Sequence, residues 1–200
     1  MKHSPTRSVP PEYFDAKYAE KRDYWDFETS AYEAVKYADT LRSLPLASYR
    51  NAFEIGCSIG VLTAKLATRS ADLLAIDVAD RALTVARSRC AYFSNVHITK
   101  MRFPKERPVS STRFDLIVVS EVGYYWCWDD LNAAQDAIEE QLAIEGHLIL
   151  VHWTPPVSDY PLTGDAVHES FLRRPCLKLL HGHQADRYRL DVMERRSVSV

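Results

Sequence analysis

Residues 52–60 read Ala52-Phe-Glu-Ile-Gly-Cys-Ser-Ile-Gly60, and a second apolar run, Leu73-Leu-Ala-Ile-Asp77, ends in a carboxylate about twenty residues beyond Gly56. The first run reads as a short strand entering a turn. Gly56 permits a tight bend where a side chain would obstruct a ligand, and Gly60 lets the following helix start close to the sheet. Val61 to Thr68 reads as that helix. Asp77 then stands at the tip of the second strand, where a carboxylate accepts hydrogen bonds from ribose hydroxyls. Strand, glycine turn, helix and strand-end acid together point to a nucleoside site.

The same alternation continues outward from this unit. Asp80 to Ala91 reads as a helix with Ala82, Leu83, Ala86 and Cys90 on one face, and Val96 to Thr99 as a third strand. Phe114 to Ser120 is a fourth strand, Leu131, Ala134, Ile138 and Leu142 mark a helix, and His147 to Val151 is a fifth strand. Leu177 to His181 and Tyr188 to Glu194 look like a C-terminal, antiparallel strand pair. Strands that are apolar throughout, alternating with amphipathic helices, predict a doubly wound α/β fold with a mostly parallel sheet covered on both faces. Its ligand belongs outside the carboxyl ends of the strands.

Upstream, residues 1–11 carry three prolines and read as a loose leader, followed by an aromatic, charged stretch from Tyr13 to Phe27. Ser30-Ala-Tyr-Glu33 matches a capping box, and Ala31, Ala34, Val35, Ala38 and Leu41 carry helical spacing up to Pro45. The division expected is a leader and lid helix over 1–45 and a core over 46–200, within one domain.

Composition sets the outer limits. Of 200 residues, 46% are hydrophobic and 26% charged, which excludes a disordered chain. A net charge of −2 argues against a nucleic-acid backbone as the main partner. The four cysteines, Cys57, Cys90, Cys127 and Cys176, form no CxxC pair, so no metal site is expected. No membrane segment or signal peptide is read, and the chain is expected to be cytoplasmic.

The loop itself narrows the nucleoside. A dinucleotide loop would read G-x-G-x-x-G and offer helix amides to a pyrophosphate. Here Glu54 precedes the first glycine in E-x-G-x-S-x-G. Its carboxylate would repel a pyrophosphate but suits a cation. S-adenosylmethionine (SAM) carries an ammonium and a sulfonium and no phosphate.

From about Tyr13 to Glu194 the chain resembles class I SAM-dependent methyltransferases, and more narrowly the NodS-like group related to nodulation N-methyltransferases. Phe53-Glu-Ile-Gly-Cys-Ser-Ile-Gly-Val-Leu-Thr63, Ile76-Asp77 and Phe114-Asp-Leu-Ile-Val-Val-Ser-Glu-Val-Gly-Tyr-Tyr125 carry the resemblance, with Asp23-Tyr-Trp-Asp26, Tyr32-Glu33 and Lys36 upstream. It implies a Rossmann-like methyltransferase core with an N-terminal helical lid. Gly56 and Gly60, with Glu54, Cys57 and Ser58 in the same loop, would flank the methionine part of SAM. Asp77 would hold the ribose, and Val78 and Met101 would sandwich the adenine with Arg102 nearby. Ser120, Glu121 and Val122 would border the cofactor, and Trp25, Tyr32 and Lys36 would form a lid, Lys36 facing the methionine carboxylate. Ser58 stands where the middle glycine is usual, and Arg102 at or beside the position that is often acidic.

Methyl transfer needs an aligned acceptor and, for some acceptors, a base. His152 after the fifth strand, His168 in the segment from Asp159, and Tyr124 and Glu121 after the fourth strand are the candidate catalytic residues. Trp126 and Trp128 are expected to shield the pocket. The reaction expected is N-methylation of a small amine, such as an amino sugar or a natural-product intermediate. Three alternatives share these residues: O-methylation, a SAM-binding module without catalysis, and a serine hydrolase using Ser58 in G-x-S-x-G with Asp115 and His152 or His168. The hydrolase lacks the strands and oxyanion loop expected upstream. Tyr13-Phe-Asp-Ala-Lys17 has the spacing of a short-chain dehydrogenase pair but precedes the glycine loop.

Overall fold

The computed structural model describes residues 7–109 and 113–197. These residues form two compact units, 10–102 and, in the other, 7–9 with the described residues from 103 to 197.

The Pro10–Arg102 unit begins with helices α1 (Pro11–Glu20) and α2 (Ala31–Arg42). The expectation of a loose leader up to residue 11 is corrected at its end, where Pro11 opens a helix that runs into the aromatic, charged stretch. Pro11 stands in the first turn of α1, where a missing N–H costs nothing, with Glu12 beside it and Lys17 in the last turn. Of this helix only Tyr18 is fully buried, so its apolar periodicity is weak in the sequence. Ser30 caps α2, its Oγ accepting the Glu33 N–H. The reciprocal half of the capping box is redirected, because the Glu33 carboxylate takes the Lys36 ammonium instead.

Strands β1 (Tyr49–Ile55), β2 (Ser70–Asp77) and β3 (Val96–Lys100) follow, with α3 (Val61–Leu66) and α4 (Asp80–Arg89) between them. A single 3₁₀ turn at Ala67–Arg69 ends the stretch expected to be one helix to Thr68. The strands are parallel, β2 lying between β1 and β3, with Ile55 opposite Ile76 and Asp77 opposite Lys100. This register puts the glycine turn level with Asp77.

The second unit contains β4 (Phe114–Ser120), α5 (Trp128–Gln141), β5 (Leu142–Trp153), α6 (Gly164–Leu172), β6 (Leu177–Gln184) and β7 (Tyr188–Arg195). β4 and β5 are parallel, β7 pairs antiparallel with β5, and β6 pairs antiparallel with β7. β5 is longer than expected. It starts at Leu142, shifts register between Phe114 and Leu116 of its neighbour, and passes Glu145 at φ 62°. Its core positions, Leu148 to Val151, are fully buried, as are Leu116 to Val119 of β4 and Leu131, Ala134 and Ile138 of α5. α6 falls in a segment read as turn-rich; Thr163 caps it by accepting the Ala166 N–H. Ser8 and Val9 are docked, not loose: Val9 N–H bonds Tyr125 O at 2.8 Å, and Ser8 Oγ accepts the Cys127 N–H while bonding Asp130 at the start of α5.

Candidate active site

The glycine turn of the first unit is held in three left-handed residues, Gly56 (φ 82°), Ser58 (φ 52°) and Gly60 (φ 79°). Gly60 is needed for close approach as well. A Cβ there would lie 3.0 Å from Ala86 Cα and 3.1 Å from Ala86 Cβ, so it is α4 that the glycine admits. Four of the turn's amides are already bonded within the protein. Gly56 and Cys57 N–H both reach Ile76 O at 2.8 Å, Gly60 N–H reaches Cys57 O at 2.9 Å, and Ser58 N–H reaches Asp77 Oδ2 at 2.9 Å.

Asp77 therefore clamps the turn to β2. Its Oδ2 accepts from Ser58 and its Oδ1 from the Ala79 N–H, also at 2.9 Å. Burial raises its pKa, and these backbone donors hold the rise back. Each oxygen keeps a further lone pair for a ligand. Val78 and Met101 are half-buried beside it, Met101 N–H bonding Asp77 O at 3.0 Å, and Arg102 is exposed.

Glu54, on β1, is 2% exposed. Its pKa is pushed up to about 7, first by burial and then by the Asp77 charge, against the opposing effect of the Thr63 hydroxyl. Its Oε2 is buried with no hydrogen-bond donor on it. A buried carboxyl with an orphaned oxygen is a costly arrangement in isolation. Cys57 departs from its expected role. Its side chain lies in the core with Ala75, Leu83 and Ile98, and its N–H is taken by Ile76, so it supports the turn from below.

An aromatic layer covers the turn. Tyr18, Phe14, Trp25 and Phe27 pack with Ile59, Ala79 and Ala82, and the Tyr18 hydroxyl lies 2.5 Å from Ser58 Oγ. Burial and the Asp77 charge raise the Tyr18 pKa well above the ordinary phenol range, so the hydroxyl stays protonated. Tyr18 was missing from the expected site. Its i, i+4 spacing from Phe14, two positions that share one helix face, was the available signal. Trp25 makes edge contacts to Tyr18 and Tyr24 and stacks on Phe27 at 5.8 Å. Asp23 accepts the Phe27 and Glu28 N–H groups at 2.8 Å each, fixing this turn. Lys36 is 1% exposed, 2.8 Å from Glu33 Oε1 and 5.2 Å from the Tyr32 ring centroid. The Lys17 ammonium bonds the Tyr24 hydroxyl at 3.0 Å and lies 5.6 Å from the Tyr13 ring centroid, and Ser58 Oγ faces the Tyr18 hydroxyl.

In the second unit, Ser120, Glu121 and Val122 follow β4. Glu121 is left-handed (φ 58°), and its Oε2 accepts both the Tyr124 hydroxyl (2.5 Å) and the Trp153 N–H (2.9 Å). Tyr124 stacks on Tyr160 with ring centroids 5.1 Å apart. Burial and the Glu121 charge push its pKa far up, so it is a donor, not a base.

His152 is fully buried. Its Nε2 accepts the Gly123 N–H at 3.0 Å and its Nδ1 lies 3.0 Å from His168 Nε2. The role of general base is withdrawn on this geometry, because both nitrogens are engaged inside the protein. His168, also fully buried, sits mid-helix in α6 with Nδ1 2.6 Å from Asp191 Oδ2. It is likewise no base for a ligand. Asp191 was not foreseen, although an acid within Leu190-Asp-Val-Met193 breaks an apolar strand. Trp126 is buried against Phe103, whereas Trp128 is 37% exposed at the start of α5 and shields little.

The sequence model of the family described as Nodulation protein S (NodS) matches residues 14–154. A nodulation protein S of Sinorhizobium fredii NGR234 is 35% identical over 131 residues, 64% of this chain and 59% of that protein. The chain spans about half to three-fifths of the length of the curated relatives it matches. A crystal structure from Pseudomonas syringae, provisionally classed as a methyltransferase, is 34% identical and superposes with a TM-score of 0.73 over 83% of this chain and all of that one. The N-methyltransferase NodS of Bradyrhizobium japonicum WM9, solved with S-adenosyl-L-homocysteine, is 24% identical and superposes at 0.82 over 93% of this chain and 98% of that one. The last likeness shows the fold, the doubly wound Rossmann-like one with its antiparallel C-terminal strands. On the family match, which spans most of its length, this chain belongs to the NodS family.

Proposed function

We propose that this protein is a SAM-dependent methyltransferase that N-methylates a small-molecule amine. The observation that carries the reading is Glu54: a buried carboxyl titrating near neutrality, with an orphaned oxygen, beside a second carboxyl at Asp77. Such a pair stands ready for a cation. Glu54 would meet the cationic methionine end of SAM, Asp77 the ribose hydroxyls, and Val78 and Met101 the adenine faces. The N-methyltransferase activity named for the Bradyrhizobium relative supports the same reading.

SAM, when bound, supplies a methyl group already activated on a sulfonium, so the protein's own task is to orient and to exclude water. Tyr18 and Phe14 of α1, with Trp25 and Phe27 after it, cover the turn, which supports the reading of the N-terminal segment as a lid on the cradle. Reception of the acceptor is assigned to Glu121 and Tyr124. The Glu121 carboxylate can hold an amine N–H while Tyr124, its proton retained, steadies that carboxylate. An amine attacks through its lone pair and needs no strong base once neutral, which agrees with the engaged nitrogens of His152. Four free, buried cysteines support a reducing, cytoplasmic setting.

The test is a SAM-consumption screen over amine, hydroxyl and carboxyl acceptors, preceded by calorimetry with SAM. Binding of SAM and release of S-adenosylhomocysteine with amines alone is the expected result. A chain that does not bind SAM refutes the proposal, and turnover confined to hydroxyl acceptors refutes the amine.

A further inference from the structure

Gly123, Gly164 and Gly182 lie on three separate elements, and all three leave room for one buried polar chain. A Cβ at Gly123 would lie 2.9 Å from His152 Nε2 and 2.6 Å from Val167 Cγ1. At Gly164 it would lie 3.0 Å from His152 Cβ and 2.4 Å from Trp153 O, and at Gly182 2.0 Å from Asp191 Oδ1. The chain so accommodated runs Gly123 N–H, His152, His168, Asp191.

Its proton order follows from one end. A backbone N–H can only donate, so the His152 Nε2 facing it is a bare lone pair. The His152 proton is then on Nδ1 and is donated to His168 Nε2. His168 in turn carries its proton on Nδ1 and donates to Asp191, which Arg189 Nε also bonds at 2.9 Å. Both imidazoles are neutral and each has a single permitted tautomer. A second arm grips the neighbouring residues: Glu121 Oε2 takes the Tyr124 hydroxyl and the Trp153 N–H. The two arms thus hold consecutive residues of the same two segments, Gly123 with Tyr124 and His152 with Trp153.

We infer that Asp191, His168 and His152 are positioning residues: they lock one imidazole tautomer onto the Gly123 N–H and so fix the Tyr124–Glu121 pair for the methyl acceptor. The acceptor part of this inference rests on the function proposed above. None of the three need touch a substrate; they act through the turn at Gly123–Tyr125. A displacement of that pair by about 1 Å is enough to cost about 100-fold in rate.

The experiment joins nitrogen-15 histidine NMR of the whole protein with kinetics of two variants. In the wild type both His152 and His168 should show the Nδ1–H tautomer. His168→Leu removes the relay while filling its apolar volume. It should lower kcat about 100-fold on the amine found in the acceptor screen, shift the Gly123 amide and Tyr124 ring resonances, and leave the SAM dissociation constant within about twofold. His168→Gln can accept from His152 through its carbonyl and donate to Asp191 through its amide, and should restore most of kcat. A wild type holding His152 protonated at Nε2 overturns the lock even if His168→Leu fails to fold. So does a folded His168→Leu with full kcat, or a His168→Gln as impaired as His168→Leu. Failure of the methyltransferase reading looks different: the wild type then transfers no methyl group whatever its tautomers.

Discussion

Replacing Glu54 by Gln separates charge from shape at a carboxyl that burial has moved to neutrality. An ordinary glutamate titrates at 4.5, and Glu54 titrates at about 7. Between these values the folded protein keeps a proton that the unfolded chain has released, so folding stability falls as pH rises through the interval. At about 1.4 kcal/mol per pH unit the whole interval amounts to about 3 kcal/mol. Glu54→Gln keeps the shape and cannot ionise. Relative to that variant, the wild type should lose about 2 kcal/mol between about pH 5.5 and about pH 8.5, because part of the interval already lies below the first condition. Urea denaturation of both proteins at the two pH values measures this difference directly, and other titrating groups cancel in the comparison. Ligand binding must run the opposite way. A cation over Glu54 favours its ionised form, so SAM should bind the wild type more tightly as pH rises from about 5 to about 7, with release of about half a proton at pH 7. Calorimetry in two buffers of different ionisation enthalpy counts that proton. Glu54→Gln should bind more weakly, with a flat pH profile and no proton release. A stability gap that is constant from pH 5.5 to 8.5, or equal proton release by both proteins, would refute the reasoning.

Three further substitutions test the cradle. Asp77→Ala strands the Ser58 and Ala79 amides as well as removing a ribose acceptor, so it should cost about 2–3 kcal/mol in stability and much of the SAM affinity; unchanged SAM binding by calorimetry counts against the ribose role. Tyr18→Phe loses only the hydroxyl contact to Ser58 and should weaken SAM binding by about 0.5–1.5 kcal/mol, with the melting curve nearly intact; an unaltered dissociation constant means the aromatic layer does not act on the turn. Gly60→Ala combines a left-handed φ with a Cβ 3.0 Å from Ala86 Cα, and a loss of about 1–3 kcal/mol in chemical denaturation is expected; a neutral effect would show that the two helices separate easily.

What the sequence made legible was set by periodicity and by composition at the strand ends. Phe53 to Gly60 and Leu73 to Asp77 could be placed because their strands are buried on both faces and their boundaries carry glycine or acid. Helix α1 could not be placed on the same grounds, because one buried residue in ten leaves no stripe to count. His152 and His168 show the limit more sharply. Their positions after a strand and in a polar segment suggested open chemistry, yet their surroundings are made by residues far along the chain: Gly123, Asp191 and the glycine that admits Asp191, Gly182. A titratable residue can be found from sequence; whether its lone pairs point inward cannot, because that depends on tertiary partners without local pattern.

The same distinction explains why a glycine-rich turn need not be a phosphate cradle. Phosphate sites after a first strand work by presenting unpaired amides to the anion. In this turn four such amides are already spent: Gly56 and Cys57 on Ile76, Gly60 on Cys57, and Ser58 on Asp77. The last of these matters most. By capturing the Ser58 N–H, Asp77 removes a donor and sets a negative charge in its place, while Glu54 adds a second carboxyl behind the strand end. Glycine supplies the left-handed geometry at Gly56 and Gly60 in either kind of turn; the acids decide the sign of the ligand it can receive. Exchanging Asp77 and Glu54 for amides should therefore abolish the preference for a cation without creating a phosphate site, since the amides at Gly56, Cys57 and Gly60 would remain bonded to the protein's own carbonyls.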